Sequence, residues 1–558
     1  MSRYRPTVHG HTHMVSAGHA LAAQAGYAVL EGGGNAVDAA VASAMTLGVV
    51  QSDLVNIAGV APIMVRQPTG EVTTISGVGR FPRAADIDLL IREHGGHVPQ
   101  GVLRNVVPAA PDAYITALEL YGTMRFGEVV HGALQAAQDG FIMHELMAQT
   151  IAENEDNYRQ WPANAAIYLP NGKPPKVGDN FVQADLGKAL QYMADQEAAC
   201  GGGRVAGLSA ARDAFYKGDI AHAIVQYHEE NGGWMTMADM ADFRVGIEAP
   251  VTVKHRGVTL HACGAWCQGP SMAQFWSFLD GTDLASLGHN SPEYIHLLVE
   301  VIKLVFADRE LHIGDPEFVD VPLDRLLSKA HAAEQLGMIR PDAVLRGEDL
   351  WGGTANGQRE QAVAQDTSYT CVIDSDGLVA SITPSDGSAN TPVTPGWGIN
   401  PSSRGSQNWA VHGHPSCVAP WKRPRLTPNP AIAETDDGVL IPFGTPGADV
   451  QCQAMLQVLL NITEFAMDPQ DAVEAPRFAT YSYPESFEPH EALPDVLRIE
   501  SRIDSATLKA LRDTGHDVQE WPEITWKAGA VCTIVADPGT GLLSGGADPR
   551  RPCVAIGR

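Results

Sequence analysis

Apolar and polar positions along the chain first mark two long helices. Residues Asn35 to Gln51 (NAVDAAVASAMTLGVVQ) follow a Gly32-Gly33-Gly34 turn, and their Ala-rich run predicts a helix capped by Asn35. Ser291-Pro292-Glu293 supplies an N-cap, a first-turn proline and a first-turn acid ahead of YIHLLVEVIKLVFADRE, which predicts a buried helix of about five turns. Gly201-Gly202-Gly203 follows a helical pattern (ALQYMADQEAAC), where a phosphate loop would follow a strand, so it reads as a helix stop. Residues 340 to 366 are polar, contain glycine and show little periodicity, and are expected to form an exposed connector. Immediately beyond, the β-rich runs TSYTCVID and LVASITPS flank Ser375-Asp376-Gly377, a hairpin signal. A two-residue loop at Asp376-Gly377 sets Thr367 opposite Asp386, and one at Ser375-Asp376 sets it opposite Pro384. Ser385 lies beside Thr367 in both registers, so the pattern alone brings two hydroxyls together.

Composition narrows the function classes. The 558 residues allow about three or four domains, or fewer if one is a large layered unit. A net charge of −27 repels phosphate backbones and anionic membranes, which argues against nucleic-acid binding. The 56 glycines and 37 prolines, with only 18% charged residues, indicate a compact chain rich in tight turns. Eight cysteines are scattered, and Cys263 with Cys267 is a single close pair, too little for a zinc site or a disulfide framework. With no secretory apolar region at the start and no stretch long enough to span a membrane, a reduced, soluble, cytoplasmic protein is expected.

One residue at the hairpin's start has unusual chemical potential. A threonine that follows a flexible connector can be freed by cleavage of the preceding bond, and its own α-amine can then take the proton from its Oγ. An internal threonine has only a non-basic amide nitrogen, so the cut is what activates it. On pattern alone, Thr367 is equally one of many strand threonines.

Several motifs in order break that tie. GYAVLEGGGNAVDAAVASAMTLGVV resembles the amino-terminal signature of the γ-glutamyltranspeptidase family, and RDAFYKGDIAHAIV, MTMADMADFRV, FADRELHIGDPEFVDVP, KRPRLTPNPAI, FGTPGADVQ and GGADPR follow in that family's order. The resemblance implies an α+β fold, the four-layer αββα sandwich of the N-terminal nucleophile hydrolases, made as a precursor that cuts itself. DTSYTCVID falls on the position of that cut. It implies Asp366 as the residue whose carbonyl is attacked and Thr367 as the nucleophile, with 1–366 and 367–558 as the large and small segments of one interleaved domain. Ser385 falls on a family hydroxyl that hydrogen-bonds the nucleophile. Gly447 and Ala448 fall on paired glycines whose N–H groups hold the oxyanion. Ala448 replaces the second glycine, which is expected to require a negative φ there.

Departures from the family gather where a γ-glutamyl group is read. Val78 stands in place of an arginine that grips the α-carboxylate, with Arg80 two residues on as a candidate substitute. Gln407 stands in place of an acid that holds the α-ammonium group, and glutamine cannot supply that charge. Gly387 replaces an asparagine, Leu426-Thr427 replaces a serine pair, and Arg404 introduces a guanidinium suited to binding a carboxylate. Relatives that have similarly lost the γ-glutamyl reader include oxamate amidohydrolases and cephalosporin acylases. The expected function is hydrolysis of an amide bond in a small carboxylate-bearing substrate through an acyl-enzyme. Arg404, Gln407, Arg80 and Thr427 are the expected substrate contacts, no cofactor or metal is expected, and a homo-oligomer is compatible with the sequence. Three alternatives stand beside it: true γ-glutamyl transfer or glutathione hydrolysis, a non-catalytic relative that never matures, and a metal-dependent amidohydrolase using His9, His11 and His13. His412 and His414 are expected to be structural or to line a pocket.

Overall fold

The computed structural model describes residues 4–346, 350 and 366–558. Both long helices form where the patterning puts them. Helix Ala36–Val50 is buried along its whole length, and its N-terminus carries a capping box: the Asn35 side chain accepts from the Val37 and Asp38 N–H groups while Asp38 accepts from the Asn35 N–H. Helix Pro292–His312 is capped by Ser291, whose Oγ accepts from the Tyr294 N–H at 3.1 Å. Helix Ala184–Ala199 stops before the glycine cluster, with Gly201 at φ 65°. Of the expected connector, 347–349 and 351–365 lie outside the described residues, while Leu345 is tied by its N–H to Glu300 at 2.6 Å.

Two seven-stranded antiparallel sheets lie face to face. In the first, the order is Val8–Gly10, Leu542–Ala547, Cys532–Asp537, Leu440–Gly444, Ala431–Thr435, Val258–Ala262, Val251–His255. In the second it is Val554–Gly557, Met14–Ala17, Thr370–Ile373, Val379–Ile382, Ile63–Arg66, Val72–Ile75, Ile247–Glu248. Side chains alternate across each sheet as a period of two requires. Cys371, Ile373 and Val379 point into the space between the sheets beside Ile432, Cys532 and Ile534, whereas Val372, Ala380 and Ile382 join the cluster under helices Ala20–Glu31 and Ala36–Val50. Helices Gly269–Phe278, Pro292–His312 and Val450–Thr463 cover the outer face of the first sheet through Phe275, Val299, Leu456, Leu260 and Phe443. The layering is therefore αββα. Each sheet combines strands from before residue 366 with strands from after it, so neither stretch owns a sheet.

The hairpin forms with a register midway between the two expected ones. Thr370 pairs with Ile382 and Ile373 with Val379, and the loop is three residues long, Ser375 to Gly377. Gly377 takes a positive φ of 79°, and the Asp374 carboxylate accepts from the Asp376 and Leu378 N–H groups and from Ala36 at the start of the buried helix. The two-residue loop failed as an expectation because Gly377 serves as a left-handed bulge residue rather than half of a tight turn. Continuing the observed register by three residues puts Ser385 directly opposite Thr367.

Candidate active site

Thr367 is fully buried at the open end of the hairpin. Its N–H donates to the Leu54 carbonyl at 2.9 Å and its own carbonyl accepts from Arg551 Nη1 at 3.1 Å. Its φ of 94° is an outlier for a β-branched residue and costs on the order of 1–3 kcal/mol. Thr367 Oγ1 lies 2.5 Å from Ser385 Oγ and 3.2 Å from Asp366 Oδ1. Fully buried Arg404 donates from Nη2 both to Ser385 Oγ and, at 2.7 Å, to Asp366 Oδ2, which also accepts from the Gly387 N–H at 3.0 Å.

Because a guanidinium only donates, this network orders the hydroxyl protons. Arg404 donates to Ser385, and although either hydroxyl of the Ser385–Thr367 pair can donate to the other, the shorter way on to Asp366 has Ser385 donating to Thr367. The Thr367 hydroxyl then donates to Asp366 Oδ1, whose contact with Ser385 is longer at 3.4 Å. The Thr367 Oγ proton thus points at a carboxylate that can accept it.

The surroundings hold this ring in place. Asp386, at φ 118°, approaches Arg404 Nε at 3.7 Å and accepts from Ser402 Oγ at 2.5 Å and from the Ser403 N–H and Oγ at 3.0 and 2.6 Å. Burial raises its carboxyl above the ordinary range, and the Arg404 guanidinium opposes that shift. Asp53, which accepts from Thr150, is likewise raised by burial, and burial lowers Arg551 to about 10. Asp386 and Arg551 are contributors that pattern reading missed. Asp386 could have been found from its place next to Ser385, and Arg551 from its position just after GGADPR.

Gly447 and Ala448 sit in the turn that joins strand Leu440–Gly444 to helix Val450–Thr463. Gly444 packs on the Tyr369 ring, where a Cβ would come within 2.3 Å, and this close approach carries the turn toward the Thr367 end of the neighbouring sheet. Asp449 anchors the turn by accepting from Arg309 Nη1 at 2.5 Å, Gln268 Nε2 at 2.9 Å and the Ser486 N–H and Oγ at 2.7 Å each. The two N–H groups lie at the positive end of a 14-residue helix, a place that favours an anion. Contrary to expectation, Ala448 has a positive φ of 51°; the left-handed region costs a Cβ-bearing residue about 1–2 kcal/mol, and the anchored turn imposes it.

The expected substrate contacts divide. Gln407 Nε2 donates to Thr427 Oγ1 at 2.9 Å in the turn that carries Arg404, and Gln407 Oε1 has no partner among the described residues. Arg80 is elsewhere engaged, donating to the Trp421 carbonyl at 2.9 Å and pairing with Glu317 at 2.5 Å, so it is not a free carboxylate reader. Val78 is buried between the sheets. The three amino-terminal histidines do not converge: His9 meets Ser544 at 3.1 Å, His11 the Gly541 carbonyl at 3.1 Å, and His13 Glu31 at 3.0 Å. Strand Val8–Gly10 ends before the alternation is complete, which removes the geometry a metal would need. The potential ligand trio among the described residues is His296, Glu300 and His516, on helix Pro292–His312 and beside it, with Glu300 already paired to Lys303 at 2.8 Å. His412 is exposed against Asp88 at 2.9 Å, and His414 stacks on Trp409 with Glu310 at 3.3 Å, both structural.

An αββα sandwich with a threonine hydroxyl buried at a sheet end beside a carboxylate defines an N-terminal nucleophile hydrolase, an enzyme class that acts on amide bonds. The family described as Gamma-glutamyltranspeptidase matches residues 22–557, and the chain belongs to that family. It is 31% identical over 563 residues to the Glutathione hydrolase-like YwrD proenzyme of Bacillus subtilis (strain 168), covering 99% of both chains. It is 31% identical over 548 residues to the Acylase ACY 1 proenzyme of Pseudomonas sp. (strain SE83), covering 96% of this chain and 91% of that one. The crystal structure of cephalosporin acylase from Bacillus halodurans superposes with a TM-score of 0.86 at 24% identity, covering 100% of this chain and 98% of that one, and shares the fold. No helix among the described residues is long and apolar enough to cross a membrane.

Proposed function

We propose that the chain cuts itself before Thr367 and then hydrolyses an amide bond in a small carboxylate-bearing substrate. The observation that carries this reading is the ring of Thr367, Ser385, Arg404 and Asp366, in which a buried hydroxyl donates to a carboxylate. In the cut, Thr367 Oγ attacks the Asp366 carbonyl carbon, its proton passes by way of Asp366 Oδ1 to the Thr367 nitrogen, and the C–N bond breaks to leave an ester. Water hydrolyses that ester, which restores the Oγ–H and leaves segments 1–366 and 367–558 with a free amine on Thr367. The strands that both segments contribute to each sheet keep them in one body.

In the mature enzyme the Thr367 amine takes the Oγ proton as the hydroxyl attacks the substrate amide, and returns it to the departing amine. The Leu54 carbonyl, which accepts from the Thr367 N–H in the uncut chain, is placed to orient that amine. Gly447 and Ala448 N–H groups receive the oxyanion, a contribution worth roughly 10²- to 10³-fold per donor. Arg404 binds the substrate carboxylate, and Gln407 with Thr427 lines the neighbouring wall. Eight free cysteines support a reducing, cytoplasmic setting.

A denaturing gel of the purified protein tests the first step. Cleavage gives bands of about 39 and 20 kDa from a chain of 59.5 kDa, and an active preparation that keeps one full-length band refutes the mechanism. Turnover of a γ-glutamyl anilide against dicarboxylic monoamides tests the second, with efficient γ-glutamyl turnover as the opposing result.

A further inference from the structure

In the uncut chain the carboxylate that Arg404 holds belongs to the residue whose acyl group passes to Thr367 Oγ during the cut. Asp366 supplies both the carbonyl carbon attacked by Thr367 and, beyond its Cα and Cβ, a side-chain carboxylate gripped by Arg404 Nη2 at 2.7 Å and the Gly387 N–H at 3.0 Å. Both donors lie after the cut and remain, whereas Asp366 becomes the end of the other segment and is free to withdraw. Among the described residues Arg404 Nε and Nη1 have no hydrogen-bond acceptor, and Asp386 stands off at 3.7 Å with its oxygens committed to Ser402 and Ser403. Withdrawal of Asp366 therefore leaves a fully buried guanidinium with idle donors, one hydroxyl away from the nucleophile.

We propose that Asp366 occupies the carboxylate subsite of the mature enzyme before the cut, and that its own acyl group is the template for the substrate. The preferred substrate is then a succinamic-type monoamide, with two carbons between carboxylate and scissile carbonyl. Oxamate has none, and a γ-glutamyl amide has three. This deepens the reading given under Proposed function and rests on it.

Two measurements test it. The first is calorimetric titration of succinate into the cut enzyme and into an uncut Thr367→Ala chain, where the tethered Asp366 carboxylate competes. Succinate binds the cut form and binds the uncut form at least about tenfold more weakly. Equal affinity in both forms, or binding in neither, overturns the occupancy. The second is kcat/KM for ammonia release from oxamate, malonamate, succinamate and glutaramate on the cut enzyme, which needs no variant. A maximum at succinamate is expected, with one carbon more or fewer costing roughly 10- to 200-fold. A maximum at oxamate, malonamate or glutaramate overturns the two-carbon assignment and leaves the amidohydrolase reading standing. Turnover of none of them, with succinate bound by the cut form alone, counts against that reading and supports the subsite.

Discussion

Two threonines three residues apart on one stretch of chain each meet a serine hydroxyl. Thr370 Oγ1 meets Ser43 Oγ at 2.9 Å between the second sheet and helix Ala36–Val50, and among the described residues neither hydroxyl has a charged hydrogen-bond partner. Thr367 Oγ1 meets Ser385 Oγ at 2.5 Å, and that pair is bracketed by a guanidinium on one side and a carboxylate on the other. Burial is the same, since all four residues are fully covered. What separates a structural hydroxyl from a reactive one here is the donor and acceptor that polarise it, and the strained backbone that only Thr367 carries.

Substitutions at the two pairs pull this contrast apart. The largest effect is expected from Thr367→Ala, which leaves one uncut band and lowers amidase turnover by about 10⁶-fold, the scale of losing a covalent nucleophile. Asp366→Asn removes the proton acceptor of the cut, and the appearance of the smaller band on a gel time course slows by roughly 10²- to 10⁴-fold. Arg404→Gln leaves Asp366 buried without its partner. The uncut chain loses about 3–5 kcal/mol in a denaturant titration, and KM of any mature enzyme rises. In the mature enzyme the Thr367 amine accepts a proton only when neutral, so kcat/KM falls as pH drops through the α-amino range of about 7.7–8.0. Smallest is Thr370→Val, expected to cost about 1 kcal/mol of stability with cutting and turnover unchanged. A Thr370→Val chain that fails to cut while still folded would erase the distinction.

How much of this was legible follows physical lines. Helix Ala36–Val50 and helix Pro292–His312 were readable because their caps are local: Asn35 and Ser291 act on backbone groups within three residues. The Thr367–Ser385 meeting was readable because a hairpin turns sequence distance into spatial distance. Its register was missed by one residue, since the left-handed role of Gly377 depends on Asp374 closing the loop. Arg404 was singled out as a carboxylate binder, but its occupant in the uncut chain was not foreseen, because the pairing with Asp366 joins residues far apart in sequence. Arg80 misled for the converse reason: its acid, Glu317, sits more than 200 positions away. The positive φ of Ala448 likewise comes from Asp449 and its distant partners Arg309 and Ser486, which no local preference encodes.

The twisted backbone at Thr367 has a consequence for direction as well as rate. Its φ of 94° is a rotation about N–Cα defined relative to the Asp366 carbonyl carbon, so once that bond is gone the torsion no longer exists. Rejoining the ends would demand that the unfavourable rotation be rebuilt, which biases the equilibrium against religation by a factor of roughly 5 to 150 for a strain of about 1–3 kcal/mol. Maturation therefore behaves as a ratchet: the tension that readies the bond is discharged by breaking it, and nothing left in the relaxed chain winds it up again.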